Sequence, residues 1–203
     1  MPDFLLERAA PQPVAGIDEA GRGPWAGPVV AAAVILPEDA LAPGLLTLLD
    51  DSKKLTEKRR DRLFDALLAN DAICIGVGMA SVDEIDSLNI LNATFLAMRR
   101  AAEHLPRLPA HALVDGNRLP PGLACSAETV VKGDGRCCSI AAASVIAKVF
   151  RDRLMRELAE SYPGYGWRRN VGYGTAEHKA AIEKHGITPH HRKSFSPVAA
   201  FIT

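Results

Sequence analysis

Short β-rich apolar runs, and longer stretches whose apolar residues recur three or four apart, divide this chain into candidate strands and helices. Residues 14–19 and 27–36 (VAGIDE and GPVVAAAVIL) read as two adjacent, partly buried strands joined by a Gly- and Pro-rich connection. Residues 56–69 predict a helix with Thr56 as N-cap and Leu63, Leu67 and Leu68 on one face. Residues 72–80 are again strand-like. Ser81 followed by Glu84 fits a capping box, and Leu91, Phe95, Met98, Ala102 and Leu105 beyond it trace an amphipathic helix. A short strand from His111 to Val114 ends at Asp115, and another spans Cys125 to Val131. From Ser139 to about Ser161, Ile140, Ala143, Ala147, Phe150, Leu154 and Leu158 form a helical stripe whose Ala-rich first half can approach a sheet closely. Thr175 to Lys184 predicts a last short helix, while the Pro-punctuated residues 1–13 read as loose. This order, a strand–strand start followed by helix-linked strands, predicts a mixed α/β sheet flanked by helices.

The length fits one domain, and the apolar content of 48% is enough for a sizeable core. The formal net charge is zero, but it is polarised. Residues 132–203 hold 12 of the 24 basic side chains and only 6 of the 24 acidic ones. A basic C-terminal third suits a polyanion, and a polarised solvated surface is the plainer alternative. No pair among Cys74, Cys125, Cys137 and Cys138 has the CxxC spacing of a zinc site, so free and mostly buried thiols are expected. With no secretory pattern and no apolar run approaching ~18 residues, a cytoplasmic chain without membrane contact is the expectation.

The sharpest chemical feature is Asp18–Glu19 at the end of the first strand. Consecutive strand side chains point to opposite faces, so the two carboxylates share a site only where the strand ends or kinks. Gly21 and Gly23 permit that. Asp115 closes another strand and precedes Gly116, and Asp134 lies between Gly133 and Gly135 before the long helix. Converging carboxylates repel one another, which a hard divalent cation such as Mg²⁺ compensates. Two such ions ~4 Å apart serve phosphodiester hydrolysis. Each Asp–Gly taken singly also fits a turn or a helix cap. The connection GRGPWAGP can bring backbone groups close to a ligand, with Arg22 as a fork for phosphate, or it is a simple turn.

Taken together, several long segments resemble the ribonuclease HII family. They are GIDEAGRGPWAGPVVAAAV (Gly16 to Val34), DSKKLTEKRR (Asp51 to Arg60), LNILNATFLAM (Leu88 to Met98), VDGN (Val114 to Asn117), VVKGDGRCCSIAAASVIAKVFRD (Val130 to Asp152) and YPGYGWRRNVGYGTAEH (Tyr162 to His178). Trp25 is a departure, standing where an aliphatic residue is expected. The resemblance implies a ribonuclease H-like mixed sheet as one domain over residues 1–203. From about residue 162 to 203 it implies a small C-terminal helical extension that helps bind the substrate. It implies catalytic, metal-holding carboxylates at Asp18, Glu19, Asp115 and Asp134, serving two Mg²⁺ or Mn²⁺ ions. It also implies substrate contacts through Gly21, Arg22 and Gly23 to the ribonucleotide and its 2′-hydroxyl, through Tyr173 stacking on the sugar at an RNA–DNA junction, and through Ser52 and Lys53 near a phosphate. The substrates so implied are RNA–DNA hybrids and ribonucleotide-containing duplex DNA, acted on by a monomer.

Other features leave alternatives open. Lys58 to Arg62 read as the solvated face of a helix. Arg168 and Arg169 sit beside Tyr165 and Trp167, which suits stacking on nucleic acid, with core packing an equal alternative for Trp167. His178, His185, His190 and His191 have no accompanying Cys or carboxylate at ligand spacing and are expected at the surface, with His190 or Arg192 within reach of a phosphate. A DNA-cutting nuclease and a non-catalytic hybrid-binding module are the competing readings. A 2′-hydroxyl contact would separate the first, and loss of one of the four carboxylates would mark the second.

Overall fold

The computed structural model describes residues 1–49 and 56–202. Ser52 and Lys53 therefore lie outside the described residues. Five strands form one mixed sheet: β1 (Val14–Ala20), β2 (Val29–Ile35), β3 (Cys74–Ala80), β4 (His111–Asp115) and β5 (Ser126–Val130), in the order β3-β2-β1-β4-β5. β2 pairs antiparallel with β1 and β3, while β4 pairs parallel with β1 and β5. The predicted mixed sheet is thus observed, with β1 at its centre.

Helices cover both faces. α1 (Leu5–Ala9), α2 (Pro43–Leu46) and α3 (Glu57–Leu68) precede β3, and α4 (Val82–Leu88) and α5 (Ile90–Glu103) follow it. The long α6 (Cys138–Ser161) comes next, then α7 (Trp167–Asn170), α8 (Ala176–His185) and α9 (Ser196–Ala199). Alternation along the strands sorts the core. Ala32 and Val34 pack with α6 and with Leu63, Phe64 and Leu67 of α3, whereas Ala15, Ile17, Ala31 and Ala33 pack with α5. Small residues let these layers approach closely. A Cβ on Gly16 would lie 2.2 Å from the Ser139 carbonyl carbon of α6, and one on Gly78 would lie 2.2 Å from the Ala97 carbonyl oxygen of α5.

Thr56 caps α3 and the Ser81–Glu84 capping box opens α4, as the sequence predicts. Four expectations about the helices need correction. Leu68 is exposed, and Phe64 takes its place in the α3 stripe. The helix expected after Ser81 is broken at Asn89, whose φ of 68° ends α4 while its side chain caps α5. The buried face of α5 is Ala93, Thr94, Ala97, Met98 and Ala101, because close packing on β3 and β2 selects small residues over the large ones. In the second half of α6 the stripe runs through Arg151, Met155 and Ala159, leaving Phe150 exposed.

Residues 1–13 are not loose. Glu7 of α1 is buried, and one of its carboxylate oxygens accepts from both the Ser139 N–H and Oγ at 2.9 Å. It thereby caps the start of α6 from far away in sequence. All four cysteines are free; Cys137 and Cys138 are buried, and Cys74 and Cys125 are half-buried. Among the described residues no helix is long and apolar enough to cross a membrane.

Candidate active site

β1 and β4 run parallel, with Ile17 opposite Val114, so their C-terminal ends reach the same edge of the sheet. Asp18 and Asp115, each the next residue along, emerge there side by side, where ligands bind in sheets of this kind. Asp18 is buried on the α6 side, and Glu19 turns toward the opposite face. β1 ends one residue later at Ala20, and Gly21 takes a φ of +96°. The strand end foreseen from Gly21 and Gly23 thus falls just beyond the pair, leaving Glu19 to line the clefts while Asp18 stays buried behind it.

Burial pushes the Asp18 carboxyl well above the usual carboxylate range, and the charges of Glu19 and then Asp115 push it further. The Glu19 N–H, donating at 2.7 Å, and the Ser144 side chain offset part of this. Glu19 also pairs with Arg22, whose Nη1 lies 3.2 Å away. Asp115 accepts from the Gly133 N–H at 2.7 Å, which ties β4 to the single turn Gly133–Gly135 that carries Asp134. Asp134 is half-buried. The donor set is all oxygen, as a hard divalent ion requires. Among the described residues no three His, Cys, Asp or Glu side chains converge to hold an ion by themselves. Mg²⁺ keeps several waters and takes phosphate oxygens of its substrate as further ligands, so the carboxylates need not close around it before substrate is bound.

Two clefts, each of about 380 Å³, meet at Glu19 and Arg22. One is lined by Asp115, Asn117, Arg118 and the α5 residues Leu91, Thr94, Phe95 and Met98. The other is lined by Gly21, Gly23, Lys148, Arg151 and Tyr173. A Cβ on Gly23 would stand 3.5 Å from the Tyr173 ring, which is itself 42% exposed. The structure thus brings Asp18, Glu19 and Asp115 together and sets Gly21, Arg22, Gly23 and Tyr173 beside them.

Two arginines hold the glycine-rich connection from beneath. Arg192 donates to the carbonyls of Gly21 (2.5 Å), Arg22 (3.0 Å) and Gly27 (2.9 Å). Arg151 donates to those of Pro28, Ala26 and Val171 at 2.9–3.0 Å. Both are fully buried, and burial pushes Arg192 down to about 9 and Arg151 to about 10, so each stays charged at neutral pH. Val171 has a left-handed φ of 42°, strained for a β-branched residue, and its carbonyl is one that Arg151 holds. The expectation that Arg192 approaches a phosphate is corrected: its whole fork is spent on backbone.

The histidine expectation also fails in part. His178 and His191 are fully buried with Trp167. Trp167 Nε1 donates to His178 Nε2 at 3.0 Å, and the Thr188 N–H donates to His191 Nδ1 at 2.9 Å. Those obligatory donors leave one arrangement: neutral His191 donates from Nε2 to His178 Nε2 at 3.1 Å, and His178 donates from Nδ1 to the Tyr173 carbonyl at 2.9 Å. Trp167 is therefore core, stacked on Tyr165. Arg151 had a signal in the sequence. It falls four residues after Ala147 and four before Met155, a charge in the middle of an apolar stripe.

The model of the family described as Ribonuclease HII matches residues 15–198. The Ribonuclease HII of Rhodospirillum rubrum is 60% identical over 198 residues, covering 98% of this chain and 90% of the relative. That of Jannaschia is 56% identical over 201 residues, covering 99% and 98%. Among solved structures, the ribonuclease H2 of Pyrococcus horikoshii superposes with a TM-score of 0.78 at 28% identity over 93% of this chain and 96% of that one. The RNase HII of Archaeoglobus fulgidus, solved as a complex with PCNA, gives 0.70 at 26% identity over 90% and 95%. The chain has the ribonuclease H-like α/β fold expected of it, belongs to the ribonuclease HII family and is a ribonuclease H.

Proposed function

We propose that this enzyme hydrolyses the RNA strand of RNA–DNA hybrids and cuts on the 5′ side of ribonucleotides embedded in duplex DNA, leaving 5′-phosphate and 3′-hydroxyl ends. The observation that carries this reading is the juxtaposition of Asp18, Glu19 and Asp115 with Gly21–Gly23 and Tyr173 around two clefts that meet at Glu19 and Arg22. Asp18 and Asp134 would hold one Mg²⁺ or Mn²⁺ ion, and Asp18, Glu19 and Asp115 a second. Such ions supply an activated water and neutralise charge on the leaving oxygen. The chain's own groups do the rest. The Gly133 N–H and the Ser144 side chain fix the Asp115 and Asp18 carboxylates. Backbone groups of Gly21–Gly23 meet the ribose, and the Tyr173 ring packs on the following sugar. Residues from about 162 to 203, with Ser52 and Lys53, contribute to holding the duplex. A monomer acting in the cytoplasm, in removal of ribonucleotides and RNA primers from DNA, belongs to the same reading.

The test uses three labelled duplexes (all-DNA, RNA–DNA, and DNA with one ribonucleotide), each with Mg²⁺, with Mn²⁺ and with EDTA. The expected result is cleavage of the last two only, at the stated bond, abolished by EDTA and restored by metal. Cleavage of all-DNA would favour a DNA nuclease instead. Binding without cleavage in either metal would make the chain a hybrid-binding module, and full activity in EDTA would remove the metal roles.

A further inference from the structure

The Arg192 guanidinium bridges two successive peptides. It takes the carbonyl of Gly21 on Nη2 and that of Arg22 on Nη1, while Nε anchors it to Gly27. A trans peptide is planar, with its N–H antiparallel to its C=O. Turning the Gly21 and Arg22 carbonyls inward, onto a fully buried cation, therefore turns the N–H groups of Arg22 and Gly23 the other way. Neither N–H has an acceptor among the described residues. Gly21, Arg22 and Gly23 all line the cleft that Tyr173 and Lys148 share. Two successive outward N–H groups make a small trap for an electronegative oxygen. The cation on the carbonyl side polarises both peptides and strengthens those donors.

Arg192 is itself held rigidly. Its own N–H donates to the Trp25 carbonyl at 2.8 Å. The Asp86 carboxylate collects the N–H groups of Lys193 and Ser194 and the Ser194 hydroxyl at 2.6–3.0 Å. The Phe195 ring lies 5.0 Å beneath the guanidinium. A lysine cannot reproduce this, because a point charge on a flexible stem does not span three carbonyls with fixed geometry.

We propose that Arg192 is a positioning residue for ribose recognition: from the interior it sets and polarises the Arg22 and Gly23 N–H pair that meets the ribonucleotide oxygen. This rests on the reading that the Gly21–Gly23 segment contacts the ribonucleotide. Two measurements test it on the full chain with Arg192→Lys, both in EDTA so that cleavage plays no part. The first is ¹⁵N relaxation. Order parameters of Arg22 and Gly23 should drop from about 0.85 to below about 0.6, while those of Asp18 and Glu19 stay rigid. The second is the ratio of dissociation constants for all-DNA duplex and for the same duplex with one ribonucleotide. That ratio should fall about tenfold, with affinity for all-DNA unchanged. In Arg192→Ala, millimolar guanidinium ion should restore the ratio. An unchanged ratio with rigid Arg22 and Gly23 overturns the proposal. So does equal weakening of both duplexes in step with a falling melting temperature, which is what a merely structural arginine would give. A parental ratio of one would overturn the ribose reading of the segment itself. The order parameters would then still decide whether Arg192 sets the two peptides.

Discussion

The carboxylate side of the cleft is carried by the ends of β1 and β4, while the Gly21–Gly23 and Gly172–Gly174 side is carried by no strand. On the first side, backbone ladders fix the positions and the side chains are left with excess negative charge. On the second, buried side chains fix the backbone. Arg151 and Arg192 supply six bonds to carbonyls, and the His191–His178 pair ends on the Tyr173 carbonyl. One side is a rigid frame holding a strained charge cluster; the other is a pliable chain held by compensated interior charges. Substitutions should therefore separate activity from stability on the first side and join them on the second.

The largest effect is expected at Asp18→Asn and Asp134→Asn, where cleavage should fall on the order of a thousandfold or more. Removing the buried Asp18 charge relieves repulsion with Glu19 and Asp115, so the metal-free melting temperature of Asp18→Asn should hold or rise. Near-normal turnover would remove that carboxylate from the chemistry, and a large drop in melting temperature would erase the contrast between the two sides. Arg151→Met should behave in the opposite way. It leaves three buried carbonyls without their charged donor and the strained Val171 without its anchor. A loss on the order of 3 kcal/mol, or roughly 10 °C in melting temperature, is expected. A melt within a degree or two of the parent would mean that the connection holds itself.

The histidine pair adds a pH signature to the second side. Burial, and the neighbouring His178, push His191 down to about 4, and burial lowers His178 as well. A neutral buried histidine binds fewer protons folded than unfolded. Its stabilisation is therefore complete above the ordinary value of about 6.5 and is lost as pH falls toward about 4. This amounts to on the order of 3 kcal/mol for His191. Melting curves between pH 7.5 and pH 4.5 should show the decline, and His191→Gln should flatten it; an equally steep decline in that variant would place the titration elsewhere. The smallest effect is expected at Tyr173→Ala. Stacking is worth on the order of 1–3 kcal/mol, so cleavage at a single embedded ribonucleotide should fall about tenfold to a hundredfold more than cleavage of a long hybrid. An unchanged ratio of the two rates would remove the ring from junction recognition.

What could be read from the sequence follows the same division. The strand-end positions of Asp18 and Asp115 are visible as apolar runs that stop at a carboxylate, because a strand is a local pattern with period two. The caps at Thr56 and Ser81 are equally local. The arrangement around Gly21–Gly23 is not. Arg192 meets Gly21 across most of the chain, and nothing near either residue announces the partner. His178 and His191 carry the usual mark of surface residues and are interior only because Trp167 and the Thr188 backbone supply donors. The large residues Leu91 and Phe95 look like core by periodicity, but they line a cleft because Gly76 and Gly78 invite the small face of α5 instead.

The place of β1 at the centre of the sheet bears on how the enzyme comes into being. β1 and β2 can meet as a hairpin as soon as residues 14–35 exist, which gives a nascent chain Asp18 and Glu19 but no partner for them. Asp115 arrives only when β4 slides in parallel on the far side of β1, a pairing across about half the chain. Asp134 and Ser144 must then follow with the capping of α6 by Glu7. Such non-local closure is the slow part of folding. The repelling carboxylates are thus assembled last, on a frame already paid for by the rest of the core. A refolding chain should gain its hairpin well before it can cut, and the first cleavage event in such an experiment marks the completion of the carboxylate set after β4 has entered.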